Sequence, residues 1–229
     1  MHSTEVLVAT LQPDAGVISA DGNPAAKALQ EIYSGASKAA GFRGAFSGPQ
    51  IENQQGVASF VRECTSLKWE SAEARLKFTQ SEDFVNVLRP AILQYIDGAS
   101  IQQYDVVFNA SPEPVITSGV TEVLINAYDV EAVSTESQRS AIVGEFLAFV
   151  EVVKPVATSL GGTGAVYGWA DGEHEKEGNK VKVLVALVGW PSVETHIKFS
   201  GLDEVKPNFA LLKTQPKPRQ AFHCKATGV

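Results

Sequence analysis

A chain of 229 residues, 44% hydrophobic and 20% charged with a formal net charge of −7, has the apolar content for a sizeable core and is neither a disordered nor a strongly basic protein. Its Lys and Arg residues are scattered, which argues against nucleic acid as a partner. No apolar run approaches the roughly 20 residues needed to cross a bilayer, and Met1-His2-Ser3-Thr4-Glu5 lacks the features of a secretory signal, so no membrane association and a cytoplasmic location are expected. Cys64 and Cys224 show no C-x-x-C spacing and are expected to be buried, inert thiols, with no structural metal.

In chain order, Val6 to Leu11 forms a first strand by its β-branched character. Asn23-Pro24 then opens a helix as cap and first residue, with Ala25, Leu29, Ile32, Ala36 and Ala39 at helical spacing. Gly41 suits the helix end, and a second strand starts near Arg43. Asn53-Gln54-Gln55-Gly56 is expected to be a hairpin connection to a third strand over 57–67. After Trp69 comes a short helix capped by Ser71 with Glu73 in its first turn, and a fourth strand spans about 101–108.

The same order then recurs. Thr4-Glu5-Val6-Leu7 returns as Thr121-Glu122-Val123-Leu124, Gly41-x-x-Gly44-Ala45 as Gly161-x-x-Gly164-Ala165, and Trp69-x-Ser71-x-Glu73 as Trp190-x-Ser192-x-Glu194. In the second half a strand over 123–128 precedes a helix with a Thr135-x-x-Gln138 capping box and an apolar stripe of Ile142, Phe146, Phe149, Val150 and Val153. Strands from Gly164, over 181–188 and over 219–224 follow, and the loop 172–178 with His174 is expected to be solvated. Gly161-Gly162-Thr163-Gly164 lies between helix and strand, the wrong order for a phosphate cradle. The fold expected is α+β: two tandem ferredoxin-like βαββαβ repeats, residues 1–110 and 120–229, joined by a Pro-rich linker 111–119 without regular structure.

The motif Trp190-x-Ser192-x-Glu194-x-His196-x-x-Phe199 after a valine-rich strand, within a βαββαβ unit, resembles the dimeric α/β-barrel superfamily, and in particular antibiotic-biosynthesis-monooxygenase-like proteins of fungal tandem type. That resemblance spans about residues 4–108 and 120–224. A sheet with helices on one face leaves the other bare, so the two repeats are expected to close as an intrachain barrel, as a monomeric pseudo-dimer or as a homodimer.

If Trp69 and Trp190 point into cavities, period two directs Leu67, Thr65 and Glu63 inward in one half and Val188, Ala186 and Leu184 in the other. Asn126 is an unexpected amide in a strand, next but one to Tyr128. The resemblance implies that Asn126, Trp190 and His196 match a trio placed around the substrate in haem-degrading members and in oxygenases that need no cofactor. His196 would then act as acid and base and Asn126 as polariser, with Trp190, Trp69, Tyr128, Glu63 and Arg75 contacting substrate. Arg75 occupies the position of His196 in the first half and would meet an anionic group. The residues equally allow His196 as an exposed first-turn histidine, Asn126 as a satisfied strand residue, the tryptophans as packing anchors and Glu63 as an ordinary carboxylate.

The function that the resemblance implies is a small-molecule enzyme of secondary or catabolic metabolism acting on an apolar aromatic or polyketide-like substrate, as a cofactor-independent monooxygenase, cyclase or isomerase. Alternatives are a non-catalytic ligand-binding or stress-response protein, a haem protein and a structural or lectin-like module.

Overall fold

The computed structural model describes residues 3–15, 22–52, 62–176, 178–214 and 220–228. The expected hairpin 53–56 and the first residues of the expected third strand lie outside them. Two compact units are present: Met1–Val107 with Cys224–Val229, and Phe108–His223.

In the first unit, β1 (Ser3–Leu11) is central. The side-chain oxygen of Asn23 accepts from the backbone N–H groups of Ala25 and Ala26, at 2.8 and 3.1 Å, and so caps α1 (Pro24–Ser37). β2 (Phe42–Pro49) and β3 (Arg62–Trp69) follow, then α2 (Ala72–Thr79) under its Ser71 cap. A π-helical turn, Phe84–Leu88, runs without a break into α3 (Arg89–Leu93), and Pro90, which has no N–H to give the preceding turn, sits just after that irregularity. This pair was not foreseen. β4 (Ile96–Val106) then runs beside β1, longer than expected.

The sheet order is β10-β2-β3-β1-β4, β10 being the two residues Thr227–Gly228. Its first-to-fourth strand arrangement, 2-3-1-4, is that of the ferredoxin-like split βαβ. α1 lays Ala25, Leu29, Ile32, Tyr33 and Ala36 on Ala9, Leu11, Ala45 and Trp69. Val6, Val8, Tyr104 and Val106 are buried as well.

The second unit opens with α4 (Glu113–Ile116), a four-residue helix inside the segment expected to be irregular. Pro112 and Pro114 fit because a helix start has no hydrogen-bonded N–H to lose. β5 (Val120–Asp129) is followed by α5 (Glu136–Ser159), whose Thr135 and Gln138 form the expected reciprocal capping box. α5 buries Ile142, Phe146 and Val153, whereas Phe149 turns aside to stack on Phe209, ring centres 5.1 Å apart. It ends in a Schellman motif: Gly161 N–H donates to the Thr158 carbonyl and Gly162 N–H to that of Ala157, with Gly161 at φ 86°.

β6 (Gly164–Trp169), β7 (His174–Lys176), β8 (Asn179–Trp190), α6 (Val193–Ser200) and β9 (Gln220–Cys224) complete the unit, in the order β6-β8-β5-β9 with β7 on β8. His174 therefore lies in a short paired strand, opposite Val181, and not in a free loop. Cys224 is a buried free thiol.

Register decides which face carries the site. Trp190 lies opposite Val120, Val188 opposite Glu122, and Leu184 opposite Asn126, so these residues share one face by strand alternation. That face is covered by helices of the same unit: Tyr128 and Leu184 pack with Ile142, and Trp190 packs against Phe199 of α6. Trp69 likewise packs in the cluster beneath α1 and meets Phe78 of α2 at 5.5 Å. Both tryptophans thus face their own helices, a correction to the expectation that they point into a chamber enclosed by sheets.

Tight backbone contact at the entry to β5 gives a direct test. A Cβ at Gly119 would collide with the backbone carbonyl of Pro191, which cannot rotate away. Gly119→Ala is expected to destabilise the protein by about 1–3 kcal/mol, the usual cost of overpacking, read as a lowered thermal midpoint, while Gly144→Ala, where a Cβ meets open space, should not.

Candidate functional site

The site grows from the end of β8. Valine-rich β8 carries the chain to Trp190, and Pro191, with no N–H to donate, stops the ladder. Ser192 Oγ accepts from Thr195 N–H at 3.2 Å and starts α6, which places His196 within its first turns. The imidazole therefore folds back over Trp190, with ring centres 5.1 Å apart and planes 20° from parallel. Phe199 packs on the same indole at 4.8 Å.

The polar contacts converge. Trp190 Nε1 donates to Glu122 Oε2 at 3.2 Å, and His196 Nε2 lies 3.6 Å from that oxygen. His196 Nδ1 is 2.8 Å from Nε2 of His223 on β9. His223 is buried, and the side chains of Glu122 and His196 are only 13% and 22% exposed. A contact between two neutral imidazoles needs one donor and one acceptor. If Nδ1–H of His196 donates to His223, the lone pair of His196 Nε2 is left beside a carboxylate. The arrangement can accept a proton at Nε2 and stabilise the resulting cation with Glu122.

Glu122, His223 and their counterparts were not among the residues singled out from sequence. The signals existed: a glutamate inside an apolar first strand, repeated as Thr-Glu-Val-Leu, and a histidine between Phe222 and Cys224. In the first unit the same positions hold a different set. Glu5 lies opposite Asp105 across β1 and β4, and Arg75, six residues after Trp69 as His196 is after Trp190, reaches both. Its guanidinium is 2.8 Å from Asp105 and 3.8 Å from Glu5. The anionic group expected to meet Arg75 is thus supplied by the chain itself.

The other expected residues scatter. Asn126 is buried, and its side-chain oxygen has no hydrogen-bond partner among the described residues. It lies four residues from Glu122 on β5, about 13 Å of strand, so the structure does not bring it to His196. Tyr128 packs with Trp169, ring centres 5.4 Å apart, and burial first, then the charge of Glu145, pushes its hydroxyl pKa upward. Trp69 is fully buried. Glu63 lies in β3 opposite Ala9 and Pro49 in the register. His196 has a partner at each ring nitrogen, so axial ligation of a haem would displace one of them.

No protein-family profile and no curated protein matches the chain by sequence. Solved structures do match its fold. An anthrone oxidase-like protein superposes with a TM-score of 0.62 at 11% identity, covering 99% of this chain and 93% of its own. A protein provisionally designated a chlorite dismutase gives 0.57 at 10% identity, covering 99% and 94%. A Fusobacterium nucleatum protein provisionally designated a monooxygenase gives 0.56 at 9%, covering 99% and 92%. At these identities the likeness is one of fold, a mixed α+β architecture with antiparallel, ferredoxin-like sheets.

The first unit offers a pH test. Burial raises the Glu5 carboxyl from 4.5 to about 7; the Arg75 charge opposes this rise and Asp105 adds to it. A carboxyl raised in the folded state binds more protons folded than unfolded between pH 4.5 and 7, so stability falls as pH rises through that window. At 1.36 kcal/mol per unit the full effect is roughly 3 kcal/mol. Denaturant unfolding of Glu5→Gln against wild type from pH 4.5 to 7.5 should show that slope flattened; parallel curves would refute it.

Proposed function

We propose that the chain is a small-molecule enzyme that removes a proton from an apolar, aromatic or polyketide-like substrate at His196 and lets the resulting carbanion react with molecular oxygen, without an organic cofactor. The observation that supports this most is His196 held between Glu122 and His223 on the face of Trp190. His196 is the proton acceptor, Glu122 stabilises the imidazolium, and Trp190 positions Glu122 through its Nε1. Asn126 has no part in this step. The proposal retains the expectation that the two units close as an intrachain barrel.

The anthrone oxidase-like neighbour suggests the first substrate class to try. An anthrone loses a methylene proton to His196 Nε2. Its anion is then oxidised by O2, one oxygen atom becoming the new carbonyl, the other leaving as water. Electrons and atoms balance with no further reductant.

Oxygen uptake with an anthrone panel tests the reading. His196→Ala should lower kcat by about 10²-fold or more, the usual contribution of a general base. Trp190→Phe keeps the ring stack and removes the hydrogen bond to Glu122. Glu122→Gln should move the acidic limb of the kcat/KM profile to lower pH, because the protonated imidazole loses its counter-charge, whereas Trp190→Phe, which leaves the carboxylate in place, should move it far less. Undiminished turnover in His196→Ala would remove this residue from the chemistry.

A further inference from the structure

We infer that Glu122, His196 and His223 also form a binding site for one divalent first-row transition-metal ion. Each side chain offers a ligand atom, and these atoms lie within 4.8 Å of one another. Two imidazoles and one carboxylate are a donor set suited to zinc, cobalt, iron or manganese in the divalent state, and three protein ligands leave coordination positions for water or a substrate oxygen.

Two features besides proximity favour a cation here. Trp190 Nε1 holds Glu122 Oε2 at 3.2 Å, the kind of outer contact that fixes the orientation of a ligating carboxylate. The corresponding place in the first unit already contains a permanent cation: the Arg75 guanidinium lies between Glu5 and Asp105. The second unit keeps the carboxylate at Glu122, replaces arginine by histidine and aspartate by histidine, and so exchanges a covalently attached positive charge for neutral ligands able to bind a mobile one.

The inference concerns the residues of the proposed reaction but does not require that reaction. Coordination consumes the lone pair that proton abstraction uses, so metal-loaded and proton-accepting states are alternatives. Cations of this kind are expected to inhibit a turnover that depends on His196 as a base.

The test uses the full chain, stripped with chelator and titrated with Co(II). One equivalent should bind with visible d–d bands. His223→Ala and Glu122→Gln should each weaken binding by at least about tenfold, while His174→Ala, outside the cluster, leaves it unchanged. If those variants fold poorly, X-ray absorption of the zinc-loaded wild type decides, since a shell containing two imidazoles is expected. Absence of stoichiometric binding, equal binding by all variants or a zinc shell without histidine would overturn the site. Stoichiometric metal binding by a protein whose metal-free form takes up no oxygen with the anthrone panel would leave this inference standing and refute the proposed reaction; uptake by a protein that binds no metal would do the reverse.

Discussion

A carboxylate largely withdrawn from water in the first strand of each unit, Glu5 buried and Glu122 13% exposed, is the constraint around which the neighbouring side chains are arranged. Glu5 and Glu122 sit in strands whose neighbours are valine and leucine, where an isolated charge would be strongly destabilising. Something must neutralise or solvate each one. The fold answers with the first residues of the helix after the third strand and with the fourth strand, which bring the compensating groups to one spot.

The two answers differ in chemical character. Arg75 between two acids supplies a permanent cation, whereas His196 and His223 beside Glu122 make a cluster in which any positive charge depends on protons or on what binds. The first is suited to holding strand and helix together. The second has the groups for chemistry, and Trp190 ties them to the sheet by stacking and by one hydrogen bond.

Much of the fold was legible because it rests on local rules. The Asn23-Pro24 start, the Thr135 capping box and the Ser71 and Ser192 caps are read from a few adjacent residues, and each appears where expected. The π-turn at Phe84–Leu88, the strand at His174 and the helix at Glu113 were not legible, because pairing and packing outweigh weak or contrary local signals there. In the candidate cluster, His196 and Trp190 belong to a motif that is contiguous in sequence and so stand out there. Glu122 and His223 were missed because only the pairing of β5 with β9 brings residues so far apart in the chain together, and Asn126 lies about 13 Å along β5 from Glu122 although it shares its face.

The two residues that make β10 carry a kinetic implication. Thr227 and Gly228 pair with Ser47 and Phe46 at the outer margin of the first sheet. While a ribosome is still producing the intervening segment, β2 has that border exposed, with open donors and acceptors that another chain could template upon. Closure across such a separation is also slow to arise by diffusion. Until β10 is in place, that border of β2 is therefore open to mispairing.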